Sequence, residues 1–325
     1  MVWGMKVIIQ IPYYNEEATI GQVVKGLPSE VAGVDCIETL IIDGGSTDGT
    51  ADAARAAGAH HVLRLGANRG YGIAFQSGIR RCLELDADII VNTDGDNQYR
   101  GNCVAQLIRP ILDEDADIVI GSRPIEAISD FSWLKKKLQR IGSHIASKFT
   151  GTHVPDATSG FRAYSADAAM RLHLITPYSH SLETVIQAGN MHMVIANVEV
   201  DVNPRTRNSR LMTSMWDYIW KSALIIMRSY IRYRPMRTFC YLAIPPALIG
   251  GAIGVRFLIY FFTEVHPTGD TQSLLLASIL LIIAFLLVVL GIIADLTGVN
   301  RELLQEILYM EQVHRLSKIR SEKRE

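Results

Sequence analysis

The chain has 325 residues, 49% of them hydrophobic and only 20% charged, with a net charge of −1 and a mean hydropathy of +0.17. Soluble proteins carry about 25% charge, so the deficit points to lipid-facing segments, and the apolar content excludes disorder as the dominant state. The scattered cysteines Cys36, Cys82, Cys103 and Cys240 exclude a disulfide scaffold and a CxxC zinc site and fit a reduced, cytoplasmic interior, while the near-neutral charge excludes nucleic-acid binding by bulk electrostatics.

The first ten residues lack the charged and apolar regions of a secretory leader. Short apolar runs at 6–11, 36–42, 61–65, 89–93 and 118–121 read as strands. Segments with helical spacing at 19–27, 50–57, 72–85 and 103–112 lie between them. This alternation predicts a mostly parallel, Rossmann-like α/β sheet with helices on both faces. In such sheets ligands sit outside the carboxyl ends of the strands, where the polar clusters of this sequence fall.

The first strand runs into Ile11-Pro12-Tyr13-Tyr14-Asn15-Glu16-Glu17. Pro12 stiffens the exit, Tyr14 offers a stacking face, and Glu16 can accept hydrogen bonds; Asn15 and Glu17 equally suit a helix start. The second strand ends at Asp43 in IIDGGSTDGT, where Asp43 can accept from a base or ribose. Ser46, Thr47 or Asp48 is expected to cap the next helix. In Asn68-Arg69-Gly70-Tyr71-Gly72, Gly72 lies at a helix N-terminus on which a phosphate could rest; a tight loop explains it as well.

Asn92-Thr93-Asp94-Gly95-Asp96-Asn97-Gln98 follows the fourth strand. Two carboxylates one residue apart can face a common hard cation, Mg²⁺ or Mn²⁺, although the same residue types make plain turns. Arg123 after the next strand, Thr158-Ser159-Gly160-Phe161-Arg162, and Arg205, Arg207, Ser209 and Arg210 supply groups suited to anionic ligands. The histidines are scattered and read as structural or surface residues. No GxSxG elbow is present.

Residues 205–237 hold eight Lys or Arg against Asp217, with five Trp or Tyr interleaved. This composition predicts amphipathic helices in the headgroup layer. Two apolar runs follow, 239–262 with Arg256 as its one charge and 274–294 with none, each long enough for a bilayer core that needs roughly 20 helical residues. The loop 263–273 has no Lys or Arg, whereas both outer flanks are basic, so both ends are expected in the cytoplasm. Asn300 is expected to cap a separate helix over 301–320. The predicted organisation is therefore a catalytic domain over 1–210, a basic juxtamembrane region over 211–237, a membrane hairpin over 238–296 and a cytoplasmic helix over 297–325.

Taken together, IPYYNEE, IIDGGSTDGT, NTDGDNQY, IGSR, TSGFRAY and PRTRNSR resemble the family 2 glycosyltransferases of the GT-A fold. Within that family they resemble the polyprenyl-phosphate glycosyltransferases, the group of dolichyl-phosphate mannose synthase and the bacterial undecaprenyl-phosphate sugar transferases. The resemblance implies a GT-A nucleotide-sugar-binding domain carried by the two-helix membrane hairpin. It places Pro12, Tyr14, Glu16 and Asp43 on the base and ribose, and Asp94, Gly95 and Asp96 on ribose, diphosphate and metal. Gln98 falls near the metal and Arg123 at the diphosphate and acceptor phosphate. Arg205, Arg207, Ser209 and Arg210 fall near the donor phosphates and the lipid. Arg210 stands where many relatives have Lys, Arg100 where Pro is usual, and Asn102 where an acidic residue is usual.

The implied reaction is metal-dependent inverting hexosyl transfer from a UDP- or GDP-sugar to undecaprenyl or dolichyl phosphate. Glu183 would orient the sugar or the acceptor. The implied setting is an integral membrane protein of the cell membrane, or of the endoplasmic reticulum if eukaryotic, forming homo-oligomers and binding no nucleic acid. Two other readings stand beside it: a glycosyltransferase with another lipid or a polysaccharide as acceptor, and a non-catalytic nucleotide-sugar-binding membrane module. A processive synthase would carry a Gln-x-x-Arg-Trp motif, which is not found here.

Overall fold

The computed structural model describes residues 4–124, 140, 142–144, 147–148, 150–174, 180–203, 220, 224, 227–228, 230–263 and 270–322. Contacts divide the chain into two compact units, residues 1–222 with 309–325, and residues 223–308.

The first unit is built on a seven-stranded sheet. Strands β1 (Lys6–Tyr13), β2 (Cys36–Asp43), β3 (His61–Arg64), β4 (Ile89–Asn92), β5 (Ile118–Ser122), β6 (Arg162–Ser165) and β7 (Ile195–Glu199) are arranged in the order β3-β2-β1-β4-β6-β5-β7. β1 is parallel to both β2 and β4. Its sequence KVIIQIPY is buried from Val7 to Tyr13, the near-continuous apolar run expected of a strand covered on both faces. Helices α1 (Glu17–Lys25), α2 (Thr50–Ala56), α3 (Tyr71–Glu84) and α4 (Cys103–Leu112) connect the strands, as the alternation predicts.

The sheet departs from pure parallel order at β6, which the strand reading omits along with β7. β6 runs antiparallel between β4 and β5. Only four residues long, it pairs Arg162 with Asn92 on one side and Ile120 on the other. The central strands therefore bring the TSGFR segment next to the Asp-x-Asp turn. Ser165 ends β6 and caps α5 (Ala166–Arg171), its hydroxyl accepting from the Ala168 amide at 3.2 Å. α6 (Ser181–Asn190) completes that face. One apolar cluster joins α3, α5 and α6 to the sheet; two others lie under α4 and under α1 with α2.

The second unit contains α7 (Pro235–Phe262) and most of α8 (Asp270–Glu322). Both are long and apolar enough to cross a membrane. They pack through small residues: a Cβ on Gly250 would meet the Ala277 carbonyl at 3.0 Å, and one on Gly291 would meet Phe239 Cβ at 3.1 Å. Such close approach is the usual device where lipid removes the hydrophobic drive between helices. Large apolar side chains such as Leu248, Phe262 and Phe285 point outward. Pro245 and Pro246 are accommodated inside α7.

The expected separate helix over 301–320 is not separate. α8 runs unbroken through Gly298 and Asn300, so Asn300 is not its N-cap. Nothing in 295–301 removes an amide donor, and the Thr297 hydroxyl turns inward to the Ile293 carbonyl at 2.8 Å, which leaves the helical ladder intact. The end of α8 lies on the α/β unit. Tyr309 donates to Asp167 at 2.5 Å, Arg171 lies 4.0 Å from the Tyr309 ring, Arg315 faces Glu84 at 3.5 Å, and Leu316 joins the main core.

Candidate active site

The register Tyr13↔Asp43 and the parallel pairing of β1 with β4 set three strand ends side by side. Pro12 is the penultimate residue of β1, and Tyr14, just beyond the strand, is 38% exposed. Thr19 binds the loops together, its hydroxyl lying 3.1 Å from both Glu16 Oε2 and the Gly95 carbonyl.

Asp43 is almost wholly buried. Its Oδ1 accepts from the amides of Gly45 at 3.1 Å and Ser46 at 2.7 Å. Its Oδ2 is buried without a hydrogen-bond donor among the described residues, with Arg64 Nε 3.4 Å away in poor alignment. A buried acceptor left open in this way is costly unless a ligand completes it. Gly45 is required by the turn: its φ is +91°, and a Cβ there would stand 2.8 Å from the Ala67 carbonyl carbon.

The capping expectation for Ser46 and Thr47 is corrected by these contacts. α2 starts one turn later with Gly49 as N-cap and no side-chain cap bond. Ser46 Oγ instead accepts from the Asn15 amide at 2.9 Å, and the Thr47 amide donates to Asn15 Oδ1 at 3.0 Å. The two residues lace the β1 and β2 exits together. Asp48 does engage the start of α2, accepting from the Thr50 amide at 3.2 Å and from its hydroxyl.

Asp94 and Asp96 form the centre. The Tyr71 hydroxyl donates to Asp94 Oδ1 at 2.7 Å, and Asp96 Oδ1 accepts from the Gln98 amide at 3.1 Å. Burial, together with the negative charge of Asp96, pushes the Asp94 carboxyl up to about 6. Tyr71 itself is held protonated well above the usual phenol range by burial and by Asp94, so it remains a donor. Asn92 supports the pair: its amide donates to the Gly160 carbonyl at 2.8 Å and to Tyr71 Oη at 3.3 Å, and accepts from Gln10 Nε2 at 3.0 Å. Gly160 lies directly behind Asp94, where a Cβ would come within 2.6 Å of Oδ2.

Arg123 is not a loose arm. Its guanidinium makes a two-pronged pair with Asp156, Nε to Oδ2 at 2.7 Å and Nη2 to Oδ1 at 3.1 Å, and reaches Thr158 Oγ1 at 3.0 Å. Burial opposes its charge, but Tyr99 and Asp156 outweigh it and hold the group firmly protonated. Its field, with that of Arg162, favours the Asp94 carboxylate. Arg162 is fully buried and bonds the Ser159, Ala157 and Ser181 carbonyls and Thr184 Oγ1, tying β6 to α6. Glu183 is buried on α6, where it accepts from Gln187 at 3.3 Å. Gly72 is buried in the first turn of α3. Arg205, Arg207, Ser209 and Arg210 lie outside the described residues.

Four contributors escape the sequence reading: Tyr71, Gly160, Asp156 and His180. Tyr71 and Gly160 stand inside quoted motifs, yet their part depends on α3 and β6 converging on β4. His180 is buried against Phe75 at 4.3 Å and Tyr71 at 5.3 Å between ring centroids. Burial, reinforced by Arg162, holds its imidazole well below the usual histidine range. It is a neutral stacking partner that seats Tyr71, and no local motif marks it.

Among the described residues no three His, Cys, Asp or Glu side chains converge on one point. The Asp94–Asp96 pair offers carboxylate oxygens alone, the donor type that hard divalent cations take.

The model of the glycosyl transferase family 2 domain matches residues 8–172, a span holding Asp43, Asp94, Asp96 and Arg123. The chain belongs to glycosyl transferase family 2. An undecaprenyl-phosphate mannosyltransferase of Micrococcus luteus is 31% identical over 180 residues, covering 52% of this chain and 70% of its own. A UDP-N-acetylglucosamine–dolichyl-phosphate N-acetylglucosaminyltransferase of Methanococcus voltae is 32% identical over 177 residues, covering 49% and 68%. These relatives bear out the resemblance to the polyprenyl-phosphate glycosyltransferases. The fold is shared with glucosyl-3-phosphoglycerate synthase of Mycobacterium tuberculosis, solved with Mn²⁺ and UDP, at a TM-score of 0.53 and 24% identity, covering 70% of this chain and 79% of that one.

Proposed function

We propose that this family 2 member moves one sugar from a nucleoside diphosphate sugar to a polyprenyl monophosphate, with inversion at the anomeric carbon, on the cytoplasmic face of a membrane. The observation that carries the reading is the alignment of an open buried acceptor, Asp43, with the Asp94–Asp96 pair at adjacent strand ends, in a chain with two membrane-length helices.

Asp43 Oδ2 accepts from the donor's base, Tyr14 stacks on it, and Pro12 and Glu16 border the base and ribose. Asp94 and Asp96, with Gln98 beside them, fit a hard divalent cation: they offer only oxygen donors, and the raised Asp94 carboxyl is a site of negative charge that a cation relieves. Bound there, Mg²⁺ or Mn²⁺ would act as a Lewis acid toward the leaving diphosphate. Tyr71 and Gly160 hold the Asp94 carboxylate in place, and Gly95 lets the backbone approach the donor. Arg123 adds positive field from beneath. Arg205, Arg207, Ser209 and Arg210 would face the phosphates.

A phosphate monoester has a second pKa near 6, roughly, and is largely dianionic at neutral pH. An oxygen of the lipid phosphate therefore attacks the sugar C1 without a strong general base. The C1–O bond to the diphosphate breaks, its electron pair leaves with the nucleoside diphosphate, and the anomeric configuration inverts. Glu183 would orient sugar or acceptor by hydrogen bonding. The isoprenoid tail holds the acceptor in the bilayer at about 0.8 kcal/mol per buried CH₂, so the helices bring the site to the lipid. Basic flanks on both sides of a loop free of Lys and Arg support cytoplasmic ends.

The test is incubation of the purified protein with polyprenyl phosphate, Mg²⁺ or Mn²⁺ and a panel of UDP- and GDP-sugars. A lipid gaining one sugar mass, absent with Asp96→Ala, supports the reading. A lipid gaining sugar phosphate contradicts it, and no lipid product despite nucleotide binding favours the binding-module reading.

A further inference from the structure

Gln10 interrupts the apolar run of β1, and Asn92 stands opposite it on the paired strand β4. Both side chains are fully buried. An apolar residue would sit in either place at no polar cost, whereas a buried amide destabilises the fold unless it is hydrogen-bonded. The two amides are spent on one chain of hydrogen bonds that ends at Asp94.

The direction of that chain is fixed from one end. A carbonyl oxygen only accepts, so the Gly160 carbonyl, 2.8 Å away, holds Asn92 Nδ2 on its side. Asn92 Oδ1 then faces Gln10, which presents Nε2 to it at 3.0 Å. Turned over, Gln10 would set two carbonyl-type oxygens against each other. It keeps this orientation although its own Oε1 has no donor among the described residues. That oxygen lies under Gly78 of α3, where a Cβ would press on it and stand 2.8 Å from Ile42 Cδ1. Gly78 and Tyr71 lie about two turns apart on one face of α3, so the close seating of the helix on Gln10 also delivers Tyr71. Asn92 Nδ2 reaches Tyr71 Oη at 3.3 Å. The phenol has a single proton, and with a donor on this side it gives that proton to Asp94 Oδ1 at 2.7 Å.

We infer that Asn92, braced by Gln10, is a positioning residue that commits the Tyr71 proton to Asp94 and so holds that carboxylate aimed for a cation. Neither amide touches the cation; both act through Tyr71. The role at the cation rests on the Asp94–Asp96 pair being the metal site of the proposed reaction, and the direction of the hydrogen bonds does not.

The full chain in detergent, free of metal and in mildly alkaline buffer, is measured by ultraviolet resonance Raman. Subtracting the spectrum of each protein's Tyr71→Phe counterpart isolates Tyr71. The intensity ratio of the ring doublet is lowest for a phenol that only donates and highest for one that only accepts. Asn92→Leu is expected to lower the ratio, because Tyr71 then only donates, and Gln10→Leu to lower it less. A rise shows Tyr71 donating to Asn92 and overturns the assignment, as does no change in either variant. Mn²⁺ affinity is titrated on the same proteins by loss of the free-ion EPR signal. Asn92→Leu weakens it about fivefold and Gln10→Leu about twofold. Both losses vanish in a Tyr71→Phe background, as action through Tyr71 requires. Equal losses in the two backgrounds assign both residues to packing and overturn the positioning role, and a wild type that takes up no Mn²⁺ overturns the link to the cation. If Asn92→Leu does not fold, Gln10→Leu carries the same cycle one bond further from Tyr71. Sugar transfer is assayed in parallel: the Raman and Mn²⁺ effects in a protein that transfers no sugar keep this chain of hydrogen bonds and remove the proposed reaction.

Discussion

The Tyr71 hydroxyl and Asp94 Oδ1 are joined by a 2.7 Å hydrogen bond between the start of α3 and the end of β4. That bond favours the Asp94 carboxylate. Tyr71→Phe removes it while keeping the ring stacked on His180. A hydrogen bond to a charged group contributes about 1.5–3 kcal/mol, so kcat is expected to fall roughly tenfold to a hundredfold. The acid limb of the pH–rate profile moves upward, because Asp94 loses a group that lowers its pKa. Steady-state kinetics across pH checks both effects.

Asp94 titrates at about 6 in the cation-free protein, raised by burial first and by Asp96 second. Its folded pKa lies above the unfolded value, so the native state binds the extra proton between the two. The associated stability is complete at low pH and is lost as pH rises through about 6. Mg²⁺ or Mn²⁺ is therefore expected to raise the thermal midpoint above pH 6 and to have little effect below pH 5. Asp94→Asn abolishes that pH-dependent gain. A scan of thermal midpoints with and without cation, on wild type and variant, reads the difference.

Gly160 admits no side chain, since a Cβ would press on Asp94 Oδ2 at 2.6 Å. Gly160→Ala is expected to cost about 1–3 kcal/mol through overpacking and to weaken cation affinity by displacing the carboxylate. Denaturation midpoints and Mn²⁺ titration measure the two losses separately.

The Arg123–Asp156 pair is nearly enclosed, with side-chain exposures of 8% and 0%. Asp156→Asn leaves a buried guanidinium without its counter-charge, and breaking a buried pair costs about 3–5 kcal/mol. Arg123→Met with Asp156→Asn removes both charges and is expected to recover part of that loss. A double-mutant cycle in unfolding free energy gives the coupling.

The parallel half of the sheet was legible because β1, β2 and β4 are apolar runs, each followed by a polar turn. Asp43, Asp94 and Asp96 stand at their carboxyl ends for that reason. β6 was not legible: four residues, Arg162–Ser165, acquire strand geometry only by inserting between β4 and β5, pairings between segments far apart in the chain that local periodicity does not register. Tyr71 and His180 were hidden for a related reason, since their contact arises where α3 meets the start of α6. The unbroken α8 differs from the expected break at Asn300 because a cap residue marks a helix start only where the preceding chain is not already helical.

The most direct measurement uses polyprenyl phosphate carrying ¹⁸O in its phosphate, with the nucleotide sugar that the donor panel selects. If the lipid phosphate oxygen attacks the sugar, the product is a lipid monophosphate plus one sugar with all the phosphate ¹⁸O retained, and Asp96→Ala forms none. A product with a second, unlabelled phosphorus would show sugar phosphate transfer and contradict the account.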